Sequence, residues 1–398
     1  MDFEIRPIVE DELTAWLRAE SIGFGSHFDE TKIGRYQQRL DVDRALAAFD
    51  GDSIVGTAHS APQHMTVPGG SLETACVDSV TVQPTHRRLG ILTQMMAHQL
   101  NDLHERGKAL AALWASESII YGRYGYGPGS FHERWSIERQ HTAYAEASER
   151  TGGTRFISPG DVAGIYPEVY RRATSERPGA IQPPPVTWRG ITEDFEDLRS
   201  GASAYFHVVY EQNGQVAGYV FYRTKERSVQ VHQLMAATPE AHRALWRYCL
   251  DIDLMTSTSA GSRPLDDPLP WMLANPRKLK REISDALWIR LVDVPAALSG
   301  RKYASDDNLV IGVADTFCPW NEGTYEMEAG PDGAECRRSK KDPDLVLSVG
   351  SLAATYLGAT SFGTLGHAGR IEESTPGALD RADSLFATRV VPWCPYDF

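Results

Sequence analysis

Residues 77–103 read VDSVTVQPTHRRLGILTQMMAHQLNDL, and this stretch decides the fold. Val80, Thr81 and Val82 favour a strand, and Pro84 ends it because proline has no N–H to give a ladder. From Leu92 onward, apolar residues recur at Met95, Met96, Leu100 and Leu103, the spacing of one buried helical face. Gly107 follows, where helices commonly stop. Between strand and helix lie Arg87, Arg88, Leu89 and Gly90. Backbone N–H groups in a first helical turn lack partners, and the helix dipole favours an anion there. Gly90 lets backbone approach a ligand, and the arginines add charge-assisted donors. The junction suits a pyrophosphate, although no Gly-Lys-Ser/Thr of a P-loop follows. For two arginines by themselves, a solvated basic helix start is the plainer alternative.

Outward from this junction the pattern alternates. Residues 10–19 predict a short helix with Leu13, Trp16 and Leu17 on one face, residues 21–27 (SIGFGSH) a loop, and residues 29–42 a second, charged helix. Two hairpins follow: residues 45–49 with 53–60, and residues 65–67 with 71–82 around Pro-Gly-Gly. Residues 109–115 read as a buried strand, residues 131–139 as the strand closing the first region, and residues 141–153 as a boundary. This is an α+β, or mixed α/β, domain. Ser116, Glu117 and Ser118 open a brief helix into YGRYGYG (residues 121–127), whose glycines are not placed between a strand and a long helix as in a dinucleotide loop.

Strand, proline, Arg-x-x-Gly and helix together resemble the acetyl-CoA-binding signature of the GNAT acetyltransferases, with Leu92 departing from the usual second small residue. VTVxPTHRRxGIL, ASExxxYGRYGYG and a C-terminal aromatic carboxylate are similar to the enhanced-intracellular-survival (Eis) type N-acetyltransferases over the whole chain. The resemblance implies two tandem GNAT-like domains (residues 1–140 and 141–286), the second lacking a cofactor site. A sterol-carrier-protein-like domain (residues 287–398) would follow, its tail docking into the active site. It implies acetyl-CoA held by Val80, Thr81, Val82, Arg87, Arg88, Leu89, Gly90, Ile91, Leu92, Thr93, Ser116 and Glu117. Tyr121 would be the general acid, the α-carboxylate of Phe398 the general base, and Asp397 a contact for a cationic amine. The acceptor would be an aminoglycoside-type amine, a polyamine or lysine, and the assembly a homohexamer.

The second region echoes the first. Ile54-Val55-Gly56-Thr57-Ala58 resembles Val216-Ala217-Gly218-Tyr219-Val220, and a strand-Pro-helix run recurs at Pro239. Aligning the prolines sets Leu245 against Gly90 and His242 against Arg87, which fills the space a phosphate needs. Residues 263–281, rich in proline and basic groups, read as a surface loop. Strands at residues 309–314, 323–328 and 345–349, a charged turn at 336–344 and a helix at 351–357 make the third region α+β. The end, VVPWCPYDF, carries Trp393, Tyr396 and Phe398 stiffened by two prolines, and predicts a docked tail.

The 398 residues exceed one ordinary core. A net charge of −13 argues against general nucleic-acid affinity and suits a partner carrying amines. The acidic start has no apolar signal region, and no run reaches membrane-spanning length. Five scattered cysteines fit reduced thiols in a cytoplasm, and no His/Cys set has metal-ligand spacing, so no metal is expected. Two alternatives stay open: a two-GNAT-domain transferase for another acyl group or a thiol precursor, and a degenerate acyltransferase serving as a lipid- or protein-binding module.

Overall fold

The computed structural model describes residues 3–37, 40–146 and 151–398, and the chain divides into two compact units. Met1–Ser130, Ala286–Arg389 and Asp397–Phe398 form the first unit; Phe131–Asp285 and Val390–Tyr396 form the second.

The first unit begins with β1 (Glu4–Pro7), α1 (Leu13–Gly23), α2 (Ile33–Gln37), β2 (Ala45–Asp50), β3 (Ser53–Val67) and β4 (Gly70–Val82). Then come α3 (Ile91–Glu105), β5 (Leu110–Trp114), α4 (Ser118–Tyr121) and β6 (Gly127–Pro128). The second unit contains β7 (Phe131–Glu138), β8 (Gly153–Phe156), α5 (Val162–Thr174), α6 (Pro185–Glu193), β9 (Phe206–Gln212), β10 (Gln215–Lys225) and β11 (Ser228–Ala236). It continues through α7 (Pro239–Asp251), β12 (Ser257–Arg263), α8 (Leu269–Met272) and β13 (Lys280–Asp285). The chain returns to the first unit with β14 (Leu287–Leu291), α9 (Val294–Ser299), β15 (Asp307–Ala314), β16 (Gly323–Gly330), β17 (Gly333–Arg338) and β18 (Leu345–Ser348). It closes with α10 (Val349–Tyr356), α11 (Phe362–His367), β19 (Ile371–Glu373) and α12 (Ala378–Phe386).

The first unit holds a sheet ordered β1-β2-β3-β4-β5-β14-β6 and a five-stranded sheet ordered β17-β16-β15-β18-β19. The period-two pattern of β2 explains how helices cover both faces of the larger sheet. Ala45, Ala47 and Phe49 pack with Trp16 and Leu17 of α1, while Leu46 and Ala48 pack with Ile91 and Met95 of α3. Trp16 Nε1 donates to the Leu46 carbonyl at 2.9 Å, so even the polar edge of the α1 anchor is satisfied. The second unit has its own sheet, β13-β7-β12-β11-β10-β9-β8, over a core containing Trp135, Val220, Leu245 and Trp246.

Several expectations change. Residues 131–139 form a strand, but β7 pairs with β12 and β13 in the second sheet rather than closing the first. The first sheet is completed by β14, which pairs antiparallel with β5 and lies next to β6. Every residue of LWIRL is buried, as a strand between two others requires. Alternation identifies a strand, but partner choice is a long-range decision that local pattern does not carry. Residues 263–281 do not simply wrap the surface: Arg263 and Asp267 are buried, and α8 interrupts the run. Residues 21–23 extend α1 rather than opening the loop. The charged turn predicted at 336–344 starts inside β17. Of the helix expected over 29–42, α2 covers only Ile33–Gln37, and residues 38–39 lie outside the described residues. Part of the boundary expected at 141–153 lies outside them too, at residues 147–150.

Candidate functional site

The cleft begins where two parallel strands part. β4 pairs with β5 only from Thr74 to Val77, opposite residues 110–113. Beyond Val77, β4 bulges: Thr57 opposes Thr81 and His59 opposes Asp78, leaving Ser79 and Val80 facing Ala58 alone. A cleft of about 1110 Å³ opens there. Val80, Thr81, Val82, Arg87, Arg88, Gly90, Ile91, Leu92, Thr93, Ser116, Glu117 and Tyr121 all line it. Leu89 is not among the lining residues and is 47% exposed. Sequence reasoning missed Gly23, Phe24 and Gly25, which form one wall. Their signal was Phe24 itself, a large apolar residue set between two glycines in an otherwise polar loop.

The turn into α3 is built from left-handed backbone. Arg88 has φ 66° and Gly90, the helix N-cap, has φ 83°. A Cβ on Gly90 would meet only Gln94 Nε2, at 3.9 Å, so conformation rather than crowding calls for glycine. The two arginines are not equivalent. Arg87 donates through Nε to the Val82 carbonyl at 3.3 Å and through Nη2 to the Gly23 carbonyl at 3.2 Å, tying the end of α1 to the end of β4. Gly23 must be small because a Cβ there would run into the Thr81 side chain. Arg87 therefore braces the cleft with donors that the sequence reading had assigned to phosphate.

Tyr121 ends α4 and is 5% exposed. Burial, with a smaller contribution from Tyr124, pushes its hydroxyl up to about 12. Tyr124 and Tyr126 are packing aromatics: Tyr124 lies 3.3 Å by its hydroxyl from Thr93 Oγ1, and the Tyr121 and Tyr126 rings meet edge to face at 6.0 Å. Beneath them the loop rests on the C-terminal third of the chain. Gly125 has φ 81°, and a Cβ there would come within 2.6 Å of Arg290 Nη1 and 2.8 Å of Val349 Cγ1. A Cβ on Gly127 would strike the Gly350 carbonyl. Arg290 is fully buried and pairs with Asp315 at 2.6 Å, while Asp315 also accepts from Asn321 Nδ2 and the Cys318 amide. β14 and the N-terminus of α10 thus fix the loop that carries Tyr121.

In the second unit the corresponding strand-helix pair has no comparable turn. α7 begins at Pro239, directly after its N-cap Thr238, whose side chain accepts from the Ala241 amide at 3.2 Å. A Cβ on Gly218 would come within 2.8 Å of Leu245 Cδ1, just as one on Gly56 would come within 2.8 Å of Met95 Sδ. Leu245 is therefore the counterpart of Met95, not of Gly90. Aligning on the prolines misleads because what is missing is the whole left-handed turn. Beside β11, Arg263 donates to the Leu234 carbonyl and pairs with Asp267, and its guanidinium lies 5.4 Å from the Trp393 ring. Gln233 Nε2 donates to the Pro395 carbonyl, and the Trp393 amide to the Pro178 carbonyl. Residues 390–396 thus pack within the second unit, with Trp393 and Cys394 buried.

Asp397 and Phe398 group with the first unit, which also holds Tyr121. Asp397 is exposed, yet partial desolvation raises its carboxyl from the ordinary value. Among the described residues no group of three or more His, Cys, Asp or Glu side chains could hold a metal ion, and no helix is long and apolar enough to cross a membrane.

Residues 4–129 and 179–291 each match models of acetyltransferase (GNAT) domains, and residues 294–395 match a sterol carrier protein domain. The chain is 38% identical to an uncharacterized N-acetyltransferase of Streptomyces avermitilis, covering 100% of both. It is 31% identical to N-acetyltransferase Eis of Mycobacterium tuberculosis, covering 98% of each chain. The crystal structure of Eis1 from Mycobacterium abscessus superposes with a TM-score of 0.86 at 32% identity, over 99% of this chain and 100% of that one. The fold, the paired GNAT regions and the similarity along the full chain agree: this protein belongs to the Eis-type N-acetyltransferases of the GNAT superfamily.

Proposed function

We propose that the chain transfers acetyl from acetyl-CoA to a primary amine of a cationic small molecule, of aminoglycoside, polyamine or lysine type. The observation that carries this is the cleft at the β4–β5 split, which has a left-handed, arginine-bearing turn at one end and Tyr121 beside it. The cleft fits the co-substrate: the N–H groups around Gly90 and the Arg88 side chain suit its phosphates, with Val80, Thr81 and Val82 along the thioester arm. When bound, acetyl-CoA supplies an activated acyl group with a thiol leaving group.

Tyr121 stays protonated throughout the working pH range, because burial holds its hydroxyl up at about 12. Against a thiol of ordinary pKa near ~8.5, complete proton transfer from Tyr121 runs uphill. Tyr121 therefore acts first as a hydrogen-bond donor to the developing thiolate and hands over its proton late. The α-carboxylate of Phe398 accepts the amine's proton, and Asp397 attracts the ammonium. The grouping of these two residues with the Tyr121 unit supports that role. In this reading residues 1–140 do the chemistry, residues 141–286 are a silent GNAT-like partner, and residues 287–398 support the tyrosine loop and deliver the tail. The protein works as a cytoplasmic homohexamer, which sedimentation tests: a 44.1 kDa species across micromolar concentrations defeats the assembly. A Gly-Ser tag after Phe398 should abolish acetylation while an N-terminal tag does not, with folding and acetyl-CoA binding intact in both. Full activity in the C-terminally tagged protein defeats the base assignment.

A further inference from the structure

At the mouth of the cleft, just before Val80, the backbone of Ser79 has φ 54°, a left-handed conformation that a serine adopts only when its surroundings impose it. Two side-chain hydrogen bonds hold it. Ser79 Oγ donates to Glu20 Oε1 at 2.6 Å, and Thr57 Oγ1 donates to the Ser79 carbonyl at 2.8 Å. Thr57 Oγ1 also lies 2.7 Å from Thr81 Oγ1, and His59 Nδ1 lies 3.1 Å from Asp78, so both flanks of the bulge are pinned to β3. The consequence is directional. With one extra residue in β4, Asp78 and Thr81 both face α1, while Val80 and Val82 turn to pack with Ile91 and Met95 under α3. Removing the bulge would shift the register by one and exchange the faces of every residue along the cleft edge.

Glu20 gains little as a stabilising group. Burial pushes its carboxyl up, the Ser79 hydrogen bond pulls it down, and the charge of Asp78 raises it again against His59. A half-buried carboxylate one turn from the cleft wall, bonded to the one strained residue of β4, is costly to keep without a task. We propose that Glu20 is a positioning residue for acyl transfer: its hydrogen bond to Ser79 fixes the bulge that presents the edge of Val80, Thr81 and Val82 to the thioester. This rests on the acetyl-CoA reading above and adds to it the residue that aims the strand.

The test uses the fact that glycine needs no holding at φ 54°. Glu20→Ala should lower kcat by ~10–100-fold, the scale of a misaligned reacting group, while acetyl-CoA affinity by calorimetry stays within about threefold. Glu20→Gln keeps an acceptor oxygen for Ser79 and should retain most of the rate. In the double variant Glu20→Ala/Ser79→Gly the bulge should persist unaided and kcat should recover. Amide hydrogen exchange over residues 78–82 gives an activity-independent reading: faster in Glu20→Ala, restored in the double variant. Wild-type kcat and exchange in a folded Glu20→Ala protein overturn the proposal. So does a double variant as slow as Glu20→Ala, because Glu20 would then act through its charge and not through the bulge. Failure of the wild-type protein to bind acetyl-CoA would instead sink the acetyl-CoA reading, and the exchange arm would still decide whether Glu20 holds the bulge.

Discussion

The two strand-proline-helix segments, β4 to α3 and β11 to α7, have the same sequence outline and opposite outcomes. In the first, a left-handed turn spanning Arg88 and Gly90 separates proline from helix, and a cleft of about 1110 Å³ lies beside it. In the second, the helix starts on the proline itself, Thr238 caps the first turn, and the ground beside β11 is taken by Arg263, Asp267 and Trp393. Both segments keep the same close approach, a strand glycine under a helix side chain where a Cβ would come within 2.8 Å. The fold survives because that approach is kept. An anion site needs more, namely an unfilled turn whose N–H groups nothing else claims.

The comparison can be broken most severely at Tyr121, which has no task in the second unit to share. Tyr121→Phe should reduce kcat by ~10²–10⁴-fold with little change in acetyl-CoA affinity, measured by steady-state kinetics and calorimetry. If it stays active while Tyr126→Phe does not, the two tyrosines have exchanged roles. The second unit should answer in stability instead. Asp267→Asn leaves Arg263 buried without its charge partner and should cost about 3–5 kcal/mol in denaturant unfolding, with kcat per folded molecule unchanged. Burial pushes Asp267 up, but Arg263 and His242 outweigh it and hold the carboxyl below its ordinary value. Its contribution is therefore present above the unfolded value near ~3.9 and lost as pH falls through the folded one. A melting temperature equally sensitive to acid in wild type and Asp267→Asn would refute this.

A subtler probe is Gly90→Ala, which places a Cβ at φ 83° in otherwise open space. It should cost about 1–2 kcal/mol, by the left-handed penalty alone, and weaken acetyl-CoA by a comparable factor. An unaffected Kd would mean that the turn is not part of the binding surface. The smallest effect is expected from Leu245→Gly. It should hollow the second core without creating a site, so calorimetry should still count one acetyl-CoA per chain. A second binding event would show that the side chain, and not the missing turn, had silenced that unit.

By itself the sequence determined the local grammar: strand 80–82, the basic turn, the amphipathic α3, the tyrosine loop and the family to which they belong. These are short-range properties, set by periodicity, by glycine and proline, and by which backbone groups a helix start leaves unpaired. It also showed that the second unit lacks the Arg-x-x-Gly turn, though it named the wrong residue as the cause. Tertiary structure alone decided the partners. β14 arrives from beyond residue 286 to complete the first sheet, and β7 leaves for the second. Arg290, Asp315 and Gly350, far along the chain from Tyr121, form the floor of its loop. Arg87 became a brace, and Glu20 came to hold Ser79 at the cleft edge, because hydrogen bonds between distant residues depend on which faces meet. A sequence written one residue at a time fixes which face each residue takes within its element. Which elements then face one another is settled only when all of them compete for the same core.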